Sequence, residues 1–226
     1  RRPPRSTLFP YTTLSDLDAV EALSELGREL EVNGMLRECI EVYKDLPARA
    51  PTNNAYAEYF IRVCEQSLEP VPARKYVESI FGKDPLYKPQ GIGDETLREK
   101  HARFLAMEHD AERLRELGWK KGEFSRVLPG RIPPEIPYLR ELALLLEKRG
   151  DKSGALVAWE RFHEVWVNGT PQQPLATDLE CALHRARLHE ELGTRERAYA
   201  IVSEVKVKAT LDERLTQILE LRARLA

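Results

Sequence analysis

An all-α fold of stacked antiparallel helical hairpins is what this 226-residue sequence predicts. Three observations predict it. Apolar residues recur at helical spacing through most of the chain, and no strand pattern precedes any glycine. A set of small and bulky apolar positions returns 34 residues after its first appearance, together with its closing proline. Two Thr-x-x-Glu boxes, at Thr177/Glu180 and Thr210/Glu213, place helix starts where further hairpins need them.

The elements follow in order. Residues 18–46 carry apolar stripes through Val20, Leu23, Leu26, Leu30, Leu36, Cys39, Ile40, Tyr43 and Leu46. Asn33-Gly34 breaks the pattern, because these residues accept the left-handed conformation that ends a helix. The segment therefore reads as two helices and a tight turn. The frame recurs at Phe60-Ile61, Cys64, Ala73, Val77, Ile80 and Pro85. Asp94 is expected to cap a helix running to Leu117, with a break at His109-Asp110 making a degenerate middle hairpin around Ala102, Leu105 and Leu114. The segment from Leu128 to Pro137 holds four prolines, which block helix and favour an extended linker. A third copy follows at Leu139, Leu142-Ala143, Leu146, Gly150-Asp151, Ala155, Trp159 and Phe162. A fourth uses Ala182, Ala186, Gly193, Ala198, Val202 and Val205, after an inserted loop from Val167 to Ala176. The last helix, about 211–225, is apolar at Leu215, Ile218, Leu219 and Leu225, and charged elsewhere. It suits a cap over the final exposed face.

The first copy, with Leu26-Gly27, Leu30, the Gly34 turn, Cys39, Tyr43, Leu46 and Pro51, resembles a tetratricopeptide repeat (TPR). The resemblance covers roughly residues 20–87 and 136–210. It implies a right-handed α-solenoid in which the first helix of each hairpin lines a concave groove that holds a partner peptide. Small residues such as Ala73, Ala143, Ala155, Ala186 and Ala198 let helices approach closely, while Tyr43, Trp159 and Phe162 fill the space against the next hairpin.

The N-terminus reads differently from the body. Residues 1–14, RRPPRSTLFPYTTL, resemble one reading frame of a common sequencing adaptor, and Ser15, Asp16 and Leu17 fit the same adaptor after a single-base slip. Residues 1–17 are accordingly expected to be a non-native, disordered leader on a gene fragment, with the first hairpin starting near Leu17. The remaining organisation is N-terminal repeats over 18–127, a linker over 128–137, and C-terminal repeats with the capping helix over 138–226.

The whole chain carries 35 basic and 37 acidic side chains, and residues 18–226 carry 32 and 36. That balance argues against a dedicated nucleic-acid binder. The longest apolar runs, Leu142 to Leu146 among them, fall far short of the ~20 residues that span a bilayer. Cys39, Cys64 and Cys181 are odd in number and widely spaced, as suits buried thiols in a reducing, cytoplasmic setting.

Catalytic and cofactor signals are not found, so neither an enzymatic role nor a cofactor or metal is expected. His184 and His189 stand five positions apart and cannot share a metal on one helix. His101 and His109 are two turns apart, and all five histidines, His163 included, read as surface or partly buried. Gly91-Ile92-Gly93 precedes an acidic cap that would repel phosphate. No nucleophile elbow occurs, and Asn168-Gly169-Thr170 reads as a loop. Trp159 is expected in the core, whereas Trp119 in a loop and Trp166 at a helix end are candidates for an interface.

One charged constellation stands out. Arg28, Arg62 and Arg187 occupy equivalent places in three copies, with Arg103 in line if the middle hairpin is real. Glu31, Glu65, Glu147 and Glu190 fall three residues further on. Such a groove suits a protein or peptide segment with matching charges, although Arg–Glu pairs three apart also stabilise a solvated helix by ~0.2–0.5 kcal/mol each. The pattern does not match the asparagine-and-lysine clamp that some TPR proteins use for a C-terminal carboxylate. The expected function is a non-enzymatic interaction or scaffold module. The alternative is a regulatory or substrate-docking region of a larger enzyme or signalling protein. A groove for single-stranded RNA, as in pentatricopeptide arrays, needs a 35-residue period and a basic lining, and neither is present.

Overall fold

The computed structural model describes residues 16–50, 54–81, 94–119, 132–169, 175–205 and 213–226. Among the described residues every regular element is a helix. They are α1 (Asp16–Val32), α2 (Leu36–Tyr43), α3 (Leu46–Arg49), α4 (Asn54–Gln66), α5 (Pro70–Phe81), α6 (Asp94–Met107), α7 (Ala111–Trp119), α8 (Ile136–Lys148), α9 (Lys152–Gly169), α10 (Leu175–Glu191), α11 (Arg195–Glu204) and α12 (Glu213–Leu225). No helix among them is long and apolar enough to cross a membrane. Residues 1–15 of the expected leader lie outside the described residues, and α1 starts at Asp16, one position before the expected Leu17.

One turn is used five times. Gly34, Leu68, His109, Gly150 and Gly193 adopt φ of 72°, 57°, 58°, 79° and 79°. In each case the next residue's N–H reaches back to the carbonyl five positions earlier: Met35 to Leu30 at 2.9 Å, Glu69 to Cys64 at 3.0 Å, Asp110 to Leu105 at 2.9 Å, Asp151 to Leu146 at 3.0 Å and Thr194 to His189 at 2.8 Å. This is the Schellman closure, which satisfies orphan carbonyls at a helix end. The His109-Asp110 turn makes the degenerate middle hairpin real. It also fixes a common register for every first helix.

The chain divides into two compact units, residues 1–73 and 74–226. Of the Pro-rich stretch, residues 132–137 belong to the second unit, where Pro133 and Pro137 are buried. In the first unit α1 pairs with α2, and α4 packs on α2 and α3. Gly27 is there for space: a Cβ at this position would lie 2.0 Å from a ring carbon of Tyr43. Cys39 Sγ donates to the Gly27 carbonyl at 3.2 Å.

In the second unit each hairpin's second helix also packs on the first helix of the next: α7 on α8, α9 on α10, and α11 on α12. An aromatic core joins α6 to α10 through Tyr138, Leu139, Trp159, Phe162 and Trp166. An aliphatic one joins α10 to α12 through Leu183, Ala186, Val202, Ile218 and Leu221. The terminal helix buries Leu215, Ile218, Leu221 and Leu225 in one stripe; Leu219, expected on that side, is exposed, and Leu221 is buried instead.

Several local expectations need correction. Val167 and Asn168 extend α9 instead of opening a loop, and α10 begins at Leu175, two residues before the Thr177 box. Glu180 is unavailable for capping because Arg140 holds it at 2.7 Å. Trp119 ends α7 and packs partly buried against the aromatic core, not in a loop. Trp166 is fully buried and stacks on Phe162 with ring centroids 6.0 Å apart, so it forms no exposed hot spot.

Candidate functional site

The first helices of the hairpins, α1, α4, α6, α8 and α10, carry the two charged rows. Counted from the left-handed turn residue, Arg28, Arg62, Arg103 and Arg187 each stand six positions earlier, and Glu31, Glu65, Glu147 and Glu190 three earlier. All four arginines are exposed and all four glutamates partly buried. The register is therefore a property of the fold, and it places each row at one level of its helix.

Within each unit the rows are linked between neighbouring helices, not along a single helix. In the first unit Arg62 Nη2 meets Glu31 at 2.8 Å and its guanidinium lies 5.2 Å from the Tyr59 ring centre. In the second, Glu147 accepts from His184 at 2.9 Å and from the Trp159 indole at 2.5 Å. The His184 ring stacks on that indole at 4.7 Å. Glu190 takes Arg224 at 2.6 Å, and Arg187 donates to Gln217 at 2.9 Å. Glutamates three residues before a turn thus join one first helix to the next helix of the same layer at three joints. Although burial works against it, hydrogen bonds from His184 and Trp159 hold the Glu147 carboxyl below the usual carboxylate range.

Histidine placement departs from the sequence expectation. His101 is fully buried, bonded to Tyr138 Oη at 3.0 Å and to Glu78 at 3.3 Å, and His189 is buried against Thr194 at 2.8 Å. Burial pushes His101 down from its ordinary value, against the pull of its contact with Glu78. The three cysteines are buried thiols. Burial raises Cys39 to about 11, and Cys64 and Cys181 to about 12, which removes thiolate chemistry near neutral pH. Among the described residues no group of three or more His, Cys, Asp or Glu side chains is placed to hold a metal ion.

A cavity that sequence reasoning missed opens between α6, α8 and α10. It measures about 260 Å³, with Glu99, Arg103, Arg140, Glu141 and Glu180 at its rim and Trp166 in its wall. Arg140 bridges two of the carboxylates: Nη1 reaches Glu141 at 3.0 Å, and Nη2 and Nε reach Glu180 at 2.7 and 3.2 Å. Arg140 and Glu180 stand 40 residues apart, close to the local hairpin period. That coincidence is the only sequence signal of the pairing.

No family model matches the chain, and no curated protein does. Two solved structures are similar to it at low identity. One is a MamA protein, 11% identical, with a TM-score of 0.46 over 91% of this chain and 92% of that one. The other is a Podosopora anserina putative kinesin light chain with nearly identical TPR-like repeats, 14% identical, with a TM-score of 0.49 over 91% and 96%. The TPR-like character of the fold stands on its own five turns and its hairpin-on-hairpin core, without help from these likenesses.

Proposed function

We propose that the chain is a non-enzymatic protein-interaction module that holds a peptide segment of a partner protein along the faces of its first helices. One observation carries this reading. Exposed arginines recur six residues before the turn in α1, α4, α6 and α10, and partly buried glutamates three residues before it in α1, α4, α8 and α10. A face with both signs in fixed register favours a polypeptide of matching charges over a polyanion. Glu31, Glu147 and Glu190 brace the joints between helices, while Arg28 and Arg62 in the first unit and Arg103 and Arg187 in the second present the basic groups for recognition, Arg62 while paired with Glu31 and Arg187 while donating to Gln217.

The test uses dodecapeptides selected from a random display library on the full chain. Replacing Arg28, Arg62 and Arg187 together by Glu should weaken the selected peptides at least tenfold while the helical circular-dichroism spectrum is retained. Unchanged affinity in a folded triple variant removes these faces from consideration.

A further inference from the structure

The cavity between α6, α8 and α10 has more negative than positive charge at its rim. Glu99, Glu141 and Glu180 face Arg103 and Arg140. Both guanidiniums are occupied. Arg140 spans Glu180 and Glu141, and Arg103 lies close enough to Glu141 to favour its charged form. An anionic ligand would have to displace one of these carboxylates, so phosphate and carboxylate groups are poor occupants.

Glu141 is the less fully paired carboxylate: it takes one bond from Arg140, at 3.0 Å, whereas Glu180 takes three. Arg140 is shared, and two oxygens of Glu180 take its Nε and Nη2. Burial still pushes the Glu141 carboxyl above its ordinary value, despite both arginines. A carboxylate kept in a place where desolvation opposes its charge works against folding, and such groups concentrate where a ligand completes the site. Ile132, Ile136 and Pro137 form the apolar side of the cavity, backed by the fully buried Phe162 and Trp166.

Size and composition narrow the occupant. At about 260 Å³ the cavity falls below the roughly 300–1,000 Å³ of cofactor and drug-sized sites and fits one long side chain. A divalent cation is disfavoured because no three ligating groups converge among the described residues. A lysine or arginine suits this lining: its methylene stem lies along the apolar side formed by Ile132, Ile136 and Pro137, and its charged head reaches Glu141.

We infer that this cavity is an anchor pocket for a single cationic side chain of the partner protein, with Glu141 as the group that receives it. The inference rests on the peptide-binding reading of the first-helix faces and names the chemistry of its most selective point. Random dodecapeptides selected on the full chain should share one lysine or arginine position. Replacing that residue by acetyl-lysine or citrulline should cost at least tenfold in affinity. E141Q should cost a similar factor, and on E141Q the neutral replacement should cost little more, because both changes remove the same contact.

E141Q should also raise the melting temperature near neutral pH. A carboxyl whose value is raised on folding destabilises the fold once it is ionised, and the gain should vanish below the carboxylate range. That readout shows the variant to be folded. Selected peptides without a shared basic position, or full affinity on E141Q, would overturn the inference. If the triple arginine variant loses binding while E141Q and the neutral peptides keep it, the groove reading survives and the pocket does not. If the library yields no binder at all, both fall.

Discussion

The α8/α9 hairpin and the α10–α12 terminus solve one packing problem with different materials. Around α8 and α9 the space between hairpins is filled by Tyr138, Trp159, Phe162 and Trp166, all fully buried. Around α10 to α12 it is filled by leucine, alanine, valine and isoleucine alone. The joints between first helices differ in the same sense. Glu147 is enclosed by an indole and an imidazole, whereas Glu190 meets Arg224 near solvent, with Arg224 66% exposed. Large aromatics bring polar handles that need partners, so the aromatic core carries a buried hydrogen-bond network. The aliphatic core has no such handles, and the joint from Glu190 to Arg224 stays near the surface, where it contributes little.

The largest effect that can break this comparison is removal of an aromatic. Trp159→Ala should lower unfolding free energy by about 3–5 kcal/mol, because it empties the centre of the core and strands Glu147. Val202→Ala, which deletes two methyl groups from the aliphatic core, should cost about 1–2 kcal/mol. Equal losses in urea unfolding would show that the two cores are energetically alike.

Next in size come the turns. Leu68 and His109 hold left-handed backbone that costs an L-residue roughly 1–2 kcal/mol. Leu68 is 75% exposed, so Leu68→Gly sacrifices little packing and should stabilise by about 0.5–1 kcal/mol after the extra chain entropy of glycine. Gly150→Ala should destabilise by about 1 kcal/mol, since open space around Gly150 leaves backbone strain as the sole penalty. Matching signs for the two substitutions in thermal unfolding would contradict the shared turn.

The smallest difference lies in pH response. Glu147 is held below the usual carboxylate range, so its contribution is present above that range and is lost as pH falls through the lowered value. Glu147→Gln should therefore flatten the acid limb of the stability curve. Arg224→Ala, at the exposed joint, should change stability by less than about 1 kcal/mol. The two curves are compared by chemical unfolding between pH 3 and pH 7.

Much of this architecture could be read from the residue pattern. Gly34, Gly150 and Gly193 marked three turns, and the apolar spacing around Ala143, Ala155, Ala186 and Ala198 marked the closest helix contacts. His109 was readable only through its neighbours, because a histidine in left-handed backbone carries no signal of its own. The charged rows were visible as rows, but their partners were not. Arg62 finds Glu31 across 31 residues, Glu147 finds His184 across 37 and Arg140 finds Glu180 across 40. Those separations depend on how far each helix slides along its neighbour, which differs at each joint. Trp166 was misjudged for a related reason: it falls at a helix end, where burial is decided by the adjacent α8 and not by its own helix.

Sequence by itself determined the all-α class, the hairpin unit, its glycine-marked turns and most of its core positions, because helical periodicity and the tolerance of glycine for left-handed backbone are local physics. Tertiary structure alone decided which charges are bound to each other. It also decided that Glu141 sits in a cavity where its own arginines do not fully compensate it. Desolvation and pairing are set by the approach of helices about forty residues apart in the chain, and no local pattern encodes that distance.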